Sequence, residues 1–506
     1  MYARSKQMVS AVAGLAVHEV RRSLTGRCGW SSPTAPSSSA DSIRQALEHL
    51  GPLYIKLGQL LSTRPDLIPA PLVGALRTLH DRVHPLPFAD MEPVLREDLG
   101  PAWRADFESF DTAAPLGSAS IAQVYTARLR GGRDVVVKVQ RPGVADTARD
   151  DMRILRRLAR LVARRAPRLD DRVGVENLLD AFLQPMASEF DFIAEARNME
   201  DARHVALRFQ RICVPQVVKA TKRVLIQSRA AGTSIRDARP SAYEPEERCA
   251  IGRELMGFMC EGYFLNRFFH ADPHPGNVFI QPGGPVTLLD WGMVGRVDRR
   301  LSLSLLSALV GLAQNDAHAV ARSWVAMSRL THSADLPAFR QDLSLLVPHI
   351  HFASLGELDF GAKLTRLLAV STHRGIQTHP MIALLGRSFA NLEGSVRHIA
   401  PELSLVGTFT TLMPHLVNGF VRETMSPVQR AHTTLDVIAA HDKVLGNVDA
   451  LVDGLADTAL NLRGDPAKVV ATLLAKGTDA GFGKAVRAVV CAVVVHEWRR
   501  KRRHAR

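Results

Sequence analysis

The segment NRFFHADPHPGNVFI, residues 266–280, carries three side chains that could do chemistry at alternate positions: His270, Asp272 and His274. Alternate residues of an extended chain face the same side, so the three could bind a metal ion, form a polar turn or belong to a catalytic loop. A zinc site would need a further ligand, and no suitable His, Cys or Asp stands nearby in the sequence. We therefore expect the two imidazoles to hydrogen-bond the loop backbone instead.

Two further oxygen-bearing side chains follow: Asn277 lies five residues after Asp272, and Asp290 lies 18 residues after it. Phosphoryl transfer needs a carboxylate that orients the acceptor and oxygen ligands that hold Mg²⁺ on the phosphates. The pattern D-x-x-x-x-N with a later Asp meets both needs. Pro273 and Pro275 exclude a helix between them. The spacing therefore favours Asp272 as a catalytic carboxylate and Asn277 and Asp290 as metal ligands.

A lysine and a small-residue loop upstream could contact a nucleotide. Lys138 lies in the apolar run VVVKVQ, where a lysine is either an edge-strand residue reaching solvent or a cation held by a buried anion. Before it, PLGSASIAQV combines small side chains that would let a backbone approach phosphate oxygens, although such residues are also common in ordinary turns. The candidate nucleotide-binding residues of this loop are Gly117, Ser118, Ala119, Ser120 and Val124.

The composition is typical of a globular protein with anionic partners. Hydrophobic residues make up 46% and charged residues 23% of the 506 positions, which argues against disorder over most of the length. The net charge of +14 favours nucleotides, nucleic acid or acidic lipid. Because the basic runs lack interleaved aromatics, we expect no nucleic-acid partner. The five cysteines include no CxxC pair, which fits a reducing compartment.

The N-terminal region and the tail bear on localisation. Residues 1–41 are predicted to form a short helix and a Ser/Pro-rich linker. The apolar stretch at residues 8–17 lacks a convincing cleavage site, so we expect no signal peptide. No window approaches the roughly 18 apolar residues of a transmembrane helix. We expect a cytoplasmic protein that could be peripheral at the inner face of the membrane, held by a basic helix at residues 149–168 and the basic tail.

The order of predicted elements indicates an α+β protein. Helical periodicity after residue 41 is followed by two β-branched runs joined at Gly131 and Gly132, which is a hairpin signature. Later segments are mostly helical, with short strands at RVLIQS and PVTLLDWG. This order is that of a two-lobed kinase, with a small β-sheet N-lobe and a mostly helical C-lobe. The predicted boundaries are 1–41, 42–110 (helical extension), 111–232 (N-lobe), 233–410 (C-lobe) and 411–506 (C-terminal helical region with the basic tail).

Several blocks together resemble the UbiB-type atypical protein-kinase-like family, which includes the ADCK proteins. GPLYIKLGQLLSTRPDLIP is similar to the family's KxGQ motif, VVVKVQRPGV to its lysine strand and SEFDFIAEARN to its ExD helix. FFHADPHPGNVFI and LLDWGMVGR are similar to its catalytic and metal-binding loops, and LLGRSFANLEGSVRHIAPELSL to its C-terminal helical region. The resemblance extends over roughly residues 45–410 and implies the kinase-like fold.

The resemblance also implies roles for the matching residues. Lys138 and Asp272 would be catalytic, with Glu195 pairing to Lys138, and the cofactors would be ATP or ADP with Mg²⁺. We place Pro185 at the start of the ExD helix. We also expect two acids of that helix to face two polar residues of the KxGQ helix, which in the family covers the peptide-substrate position. These regulatory residues are Glu189 and Asp191 on one side and Lys56 and Gln59 on the other.

The sequence departs from the family at the nucleotide loop, where Gly117 to Ser120 replaces an alanine run, so the nucleotide preference stays open. What the resemblance implies is a Mg²⁺-dependent ATPase or kinase that supports quinone or other isoprenoid lipid metabolism. The corresponding partners would be a nucleotide, an anionic membrane lipid and an isoprenoid or quinone precursor. Two alternatives remain: a kinase of one dedicated small molecule or protein, and a non-catalytic scaffold switched by nucleotide.

Overall fold

The computed structural model describes residues 39–62, 68–79, 83–165, 167, 170, 174–352 and 360–426. The predicted N-terminal helix, nearly all of its linker and the basic tail lie outside these residues. The chain divides into two compact units between Val417 and Asn418, and the second is described only as far as Ser426. Among the described helices, none has the length and hydrophobicity required to cross a bilayer.

The helical extension consists of α1 (Ser39–Leu50), α2 (Pro52–Leu61), α3 (Ala70–Arg77) and α4 (Phe88–Leu99). Gly51 separates α1 from α2 with a φ of 103°, and Pro52 then starts α2 where its missing N–H costs nothing. Ile55, Leu76 and Leu79 form a small core between α2 and α3. A Cβ at Gly58 would lie 2.5 Å from Leu79 Cδ1, so the glycine of the KxGQ motif is what allows this close packing.

The N-lobe is an antiparallel sheet in the order β1-β3-β4-β7-β6, with β2 paired to β3. Its elements are β1 (Phe107–Phe110), β2 (Gly117–Ser118), β3 (Ala122–Leu129), β4 (Asp134–Gln140), β5 (Ile212–Cys213), which joins the C-lobe, β6 (Val217–Ala220) and β7 (Val224–Ser228). The predicted hairpin between β3 and β4 is confirmed, with positive φ at Gly131 and Gly132. Strand β1 falls within the predicted extension, which is therefore not helical up to residue 110.

Alternation along β4 decides where its lysine points. Val135, Val137 and Val139 are fully buried in the core of the lobe, together with Tyr125 and Trp103. Because successive side chains of a strand point to opposite faces, Lys138 is directed away from this core. The lysine is thus an interior cation on the inner face of the sheet.

Three helices follow the hairpin: α5 (Val144–Arg165), α6 (Val175–Ser188) and α7 (Phe192–Ala206). The placement of Pro185 at a helix start was wrong, because Pro185 lies inside α6. The chain instead breaks between Ser188 and Phe192, and the Asp191 side chain accepts a hydrogen bond from Ile193 N at 3.0 Å as the N-cap of α7. The ExD segment therefore spans the end of one helix and the start of the next.

The C-lobe contains small strands among many helices. Its strands are β8 (Thr233–Ser234), β9 (Phe268–His270), β10 (Val278–Ile280), β11 (Val286–Leu288), β12 (Val294–Arg296), β13 (Ser328–Leu330) and β14 (Ile376–Thr378). Its helices are α8 (Pro245–Glu261), α9 (Arg299–Ala313), α10 (Ala317–Ala326), α11 (Leu336–Phe352), α12 (Phe360–His373), α13 (Met381–Ile399) and α14 (Leu405–Thr424). A π-helical turn, Gly262–Asn266, precedes β9. The expected α+β, two-lobed architecture is confirmed.

Two antiparallel pairs in this lobe bring the polar loops together. Val278 of β10 pairs with Leu288 of β11, so Asn277, just before β10, lies beside the segment that leads to Asp290. His270 at the end of β9 pairs with Val294 of β12, which follows Asp290. The loops that carry Asp272 and Asp290 are consequently neighbours although 18 residues separate the two aspartates.

Candidate active site

Lys138 is the centre of a three-residue charge cluster. Its Nζ lies 2.9 Å from each carboxylate oxygen of Glu195 and 2.9 Å from Oδ1 of Asp290. Strand β4, helix α7 and the loop after β11 supply one residue each. The pairing of Lys138 with Glu195 that the sequence predicts is therefore present, and Asp290 joins it.

The charges of this cluster stabilise one another. Burial opposes the charge of Lys138, but the carboxylates of Asp290 and Glu195 outweigh it and raise the pKa of the ammonium above its ordinary value. Lys138 in turn holds the pKa of Asp290 well below its usual range. Burial keeps the pKa of Glu195 above its ordinary value despite the neighbouring lysine. Lys138 is therefore cationic at neutral pH, as contact with phosphate requires.

The cluster fits a divalent cation. Two carboxylates share one ammonium, and Asp290 is the accessible one, because its side chain is 48% exposed whereas that of Glu195 is 2% exposed. Asn277 donates its amide N–H to the backbone oxygen of Asp272 at 3.1 Å, so its amide oxygen is the atom that remains for a cation. Oxygen donors of these types suit Mg²⁺. Asp290 and Asn277 are the residues that would hold it.

The backbone around Asp290 is held in an unusual conformation. Asp290 has a φ of 61°, the left-handed region that costs a non-glycine residue free energy. The following residues are fixed by the two halves of the ExD segment: Asn198 donates to Trp291 O at 3.0 Å, and Ser188 donates to Gly292 O at 3.0 Å. These contacts offset the strain and aim the carboxylate of Asp290 at Lys138.

Both histidines of the HADPHPGN loop support its backbone, as predicted. His270 is fully buried; its Nδ1 accepts from Asp272 N at 3.1 Å, so Nε2 carries the proton and donates to Leu289 O at 2.8 Å. Burial lowers the pKa of His270, which favours this neutral form. His274 Nδ1 accepts from Gly276 N at 2.9 Å. Within the described part of the chain, no group of three or more His, Cys, Asp and Glu side chains is arranged to hold a metal ion.

The carboxylate of Asp272 is bound at both oxygens by helix α13. Arg387 Nη2 donates to Oδ2 at 2.7 Å, and Asn391 Nδ2 donates to Oδ1 at 2.5 Å. The Asp272 and Arg387 side chains are only 14% and 11% exposed. Burial opposes the charge on Asp272, yet the guanidinium outweighs it and holds the pKa of that carboxyl below its ordinary value. Asp272 is therefore ionised and oriented.

Helix α13 also holds the backbone of the same loop. Ser388 donates to His270 O at 2.6 Å, and Ser395 donates to Pro273 O at 2.7 Å. Arg387, Asn391 and Ser395 follow one another at four-residue spacing, which places them on one face of the helix. The block containing α13 was identified from the sequence, but these residues were missed; their polar type at four-residue spacing was the available signal.

The KxGQ contacts are present in part. Lys56 Nζ lies 3.4 Å from Oε2 of Glu189, so this predicted pair forms. After Lys138, which contributes most, Lys56 also helps to hold the pKa of Asp290 below its usual range. Gln59 instead donates to Leu79 O at 3.1 Å, within the extension. The structure thus pairs Lys56 with Glu189, the first acid of the motif, whereas the Asp191 side chain caps α7.

The small-residue loop is secured by an arginine that sequence reasoning missed. Arg141 donates to Ala119 O and to Ser118 Oγ, each at 2.8 Å, and Ser118 donates to Val83 O at 2.9 Å. Gly117 and Val124 pair across β2 and β3, Val124 is also opposite Lys138, and Ser120 is buried. The loop thus lies beside the lysine, with Ala119 N already donating to Ala122 O at 2.9 Å.

Comparison with known proteins places these residues in two recognised domains. Residues 78–324 match the ABC1 atypical kinase-like domain, and residues 343–404 match the UbiB helical domain. A probable protein kinase UbiB from Aeromonas hydrophila is 32% identical over 389 residues, covering 75% of this chain and 70% of that protein. Its counterpart from Azotobacter vinelandii is 31% identical over 391 residues, covering 76% and 72%.

Among solved structures, the Rv3197–erythromycin complex from Mycobacterium tuberculosis matches 76% of this chain and 99% of that chain, at 24% identity and a TM-score of 0.47.

The candidate site contains residues from both matched domains. Asp272 belongs to the first matched range, whereas its partners Arg387 and Asn391 belong to the second.

Proposed function

Because the chain belongs to the UbiB family of atypical kinase-like proteins, we propose that it binds ATP or ADP with Mg²⁺ and transfers the terminal phosphate to water or to a small acceptor. The observation that carries this proposal is that Lys138 Nζ lies 2.9 Å from carboxylate oxygens of both Glu195 and Asp290. This is the ion pair and metal carboxylate that phosphoryl transfer requires, and Asp272 lies on the neighbouring loop.

Each residue has a distinct part in the proposed chemistry. Lys138, held by Glu195, would neutralise phosphate oxygens of the nucleotide. Asp290 and Asn277 would hold Mg²⁺, which would supply positive charge to neutralise the phosphates. Asp272 would accept the proton of the attacking hydroxyl or water, with its carboxylate oriented by Asn391 and Arg387.

The proposal is tested by the Mg²⁺ dependence of nucleotide binding, measured by calorimetry with ADP. In the wild type we expect Mg²⁺ to tighten binding, and in Asp290→Asn we expect that gain to be lost, with affinity about tenfold weaker or worse. Asp134→Asn serves as the matched control, because Asp134 forms an exposed pair with Arg128 on the hairpin. Unchanged Mg²⁺-dependent binding in Asp290→Asn would refute the assignment.

We extend the proposal to a role in quinone or other isoprenoid lipid metabolism, which the family resemblance implies. The acceptor would then be an isoprenoid or quinone precursor presented at a membrane. ATP turnover measured with and without anionic liposomes and an isoprenoid phenol tests this extension. A higher rate of ATP turnover when both components are present supports the extension. An equal rate with and without them would leave only the nucleotide chemistry.

The surface of α5 supports contact with an anionic membrane. Leu158, Leu161 and Val162 are 44%, 50% and 38% exposed on one face of this helix. At about 100° per residue, a row of exposed arginines lies directly beside them. Those arginines are Arg153, Arg157, Arg160 and Arg164. Apolar side chains flanked by cations are typical of helices that lie in a lipid interface.

We expect the protein to sediment with vesicles that contain phosphatidylglycerol and less with pure phosphatidylcholine. Leu158→Asp with Leu161→Asp should reduce the bound fraction by about tenfold, because each leucine would otherwise be buried among lipids. Leu345→Asp is the control, since Leu345 is 67% exposed on α11, away from the arginine row. Equal loss in the control, or none in the double variant, would exclude α5 as the contact.

A nucleotide-switched scaffold is the second candidate, and the engagement of Asp272 favours it. Both carboxylate oxygens already accept hydrogen bonds from α13, and the ion pair with Arg387 stabilises the ionised form of Asp272 against taking up a proton. In such a scaffold the nucleotide would bind without turnover. ATP turnover in Asp272→Asn distinguishes the two candidates.

A further inference from the structure

A cavity of about 470 Å³ lies between the start of α6, the start of α9 and the β13–β14 pair. None of the residues lining it belongs to the candidate active site. Its volume is within the range of small-molecule sites, roughly 300–1,000 Å³. Its apolar wall includes Leu178, Leu301, Met327 and Pro380.

Two arginines line the same cavity without using their charge elsewhere. Arg300 and Arg329 are exposed, and among the described residues neither guanidinium has a hydrogen bond or an ion pair. Asp298 is the carboxylate of this lining, and its Oδ1 accepts from Leu301 N at 2.7 Å as the N-cap of α9. The lining therefore presents more unpaired positive than negative charge to the cavity.

His379 adds a directed donor. Its Nδ1 accepts from Met381 N at 3.2 Å, so in the neutral ring Nε2 carries the proton. Burial, partly offset by Asp298, holds the pKa of His379 below its ordinary value, so the ring is neutral near pH 7. Two guanidinium groups and one imidazole N–H, beside an apolar wall, form the donor set that recognises an anionic head on an apolar body.

We propose that this cavity binds an amphiphilic organic acid, a molecule with a carboxylate or phosphate monoester head and an alkyl or aryl body. The head would accept hydrogen bonds from Arg300 and Arg329, and the body would cover Leu178 and Met327. A neutral amphiphile would leave both cations unpaired, and a small inorganic anion would leave the apolar wall in water. Charge and apolar surface are therefore both needed for binding.

The test is calorimetric titration of the full chain with octyl phosphate below its micelle-forming concentration, alongside octanol and inorganic phosphate. Octyl phosphate should bind most tightly, and Arg300→Gln with Arg329→Gln should weaken it by about tenfold or more, as expected for two lost charge-assisted hydrogen bonds. Arg322→Gln, which removes an exposed arginine of α10 outside the lining, should leave affinity within about twofold. Ala326→Phe, which fills the cavity from its edge, should also weaken binding.

Three results would overturn the proposal. Inorganic phosphate or octanol binding as tightly as octyl phosphate would show that one half of the amphiphile is irrelevant. Equal affinity in the double arginine variant and the wild type would place the ligand elsewhere. Loss of octyl phosphate binding in Lys138→Ala, with no loss in the double arginine variant, would assign the ligand to the candidate nucleotide site, because Lys138 does not line this cavity.

Discussion

Replacing Asp272 by asparagine should lower the rate of Mg²⁺–ATP turnover by about 10²–10⁴-fold while nucleotide affinity stays within about threefold of the wild type. Asparagine keeps an oxygen that can accept from Asn391 but cannot take a proton from the attacking group. Binding should persist, because Lys138, Asp290 and Asn277 are unaltered. Single-turnover hydrolysis and calorimetry on the same preparation separate the two quantities.

The control for this experiment is Asp201→Asn, because Asp201 forms a pair with Arg296 in which both side chains are more than half exposed. It should leave turnover within about twofold of the wild type. Retained nucleotide affinity in Asp272→Asn also shows that the variant is folded. If the two variants turn ATP over equally, Asp272 is not the proton acceptor, and the nucleotide-switched scaffold becomes the better explanation.

The second large effect is expected on stability. Arg387→Met removes the cation from a buried ion pair and leaves the Asp272 carboxylate with Asn391 alone, so the free energy of unfolding at neutral pH should fall by about 3–5 kcal/mol. Urea denaturation of the wild type and of Arg387→Met, each with and without Mg²⁺–ADP, measures this loss. Arg397→Met on the same helix is the matched control; its bridge to Glu393 leaves the arginine 46% exposed, so it should cost less than about 1 kcal/mol.

The pH dependence of this stability loss gives a further check on its cause. In the wild type, Arg387 keeps the pKa of Asp272 below its ordinary value. The ion pair therefore stabilises the fold fully above the unfolded-state pKa of about 3.9, and this stabilisation is lost as the pH falls from there through the folded-state pKa. Without Arg387, burial would oppose the charge of Asp272 with less compensation, and the protonated form needs no cation. The difference between wild type and Arg387→Met should therefore shrink as the pH falls. A difference independent of pH would mean that Arg387 acts through packing.

Much of the site could be predicted because its parts are local motifs at fixed spacing. Asn277 and Asp290 are joined by one short hairpin, whereas the pair of Lys138 with Glu195, 57 residues later, was predicted from the family resemblance. The predicted assignment of the histidines to the loop backbone follows from the same local geometry. Short-range spacing of this kind survives folding, because a strand or hairpin fixes the relative positions of its ends.

The errors came from assuming one helix where there are two, and from long-range contacts. The ExD segment was predicted as one helix starting at Pro185, but the Asp191 side chain accepts a backbone N–H and caps a new helix there. Arg387 and Asn391 lie 115 and 119 residues beyond Asp272, and no local pattern relates positions so far apart. Arg141 was missed for the same reason: its role depends on the fold of a loop earlier in the chain.

The contacts from α13 also mean that the two matched domains are a single functional unit. A fragment ending at residue 324 would keep Asp272 but lose Arg387, Asn391, Ser388 and Ser395, so its catalytic loop would lack every side-chain contact that α13 supplies. Such a fragment would be a poor measure of what the kinase-like domain can do. Exchanging helical domains between relatives would likewise alter the contacts of Asp272, even though every motif that defines the kinase-like domain stayed unchanged.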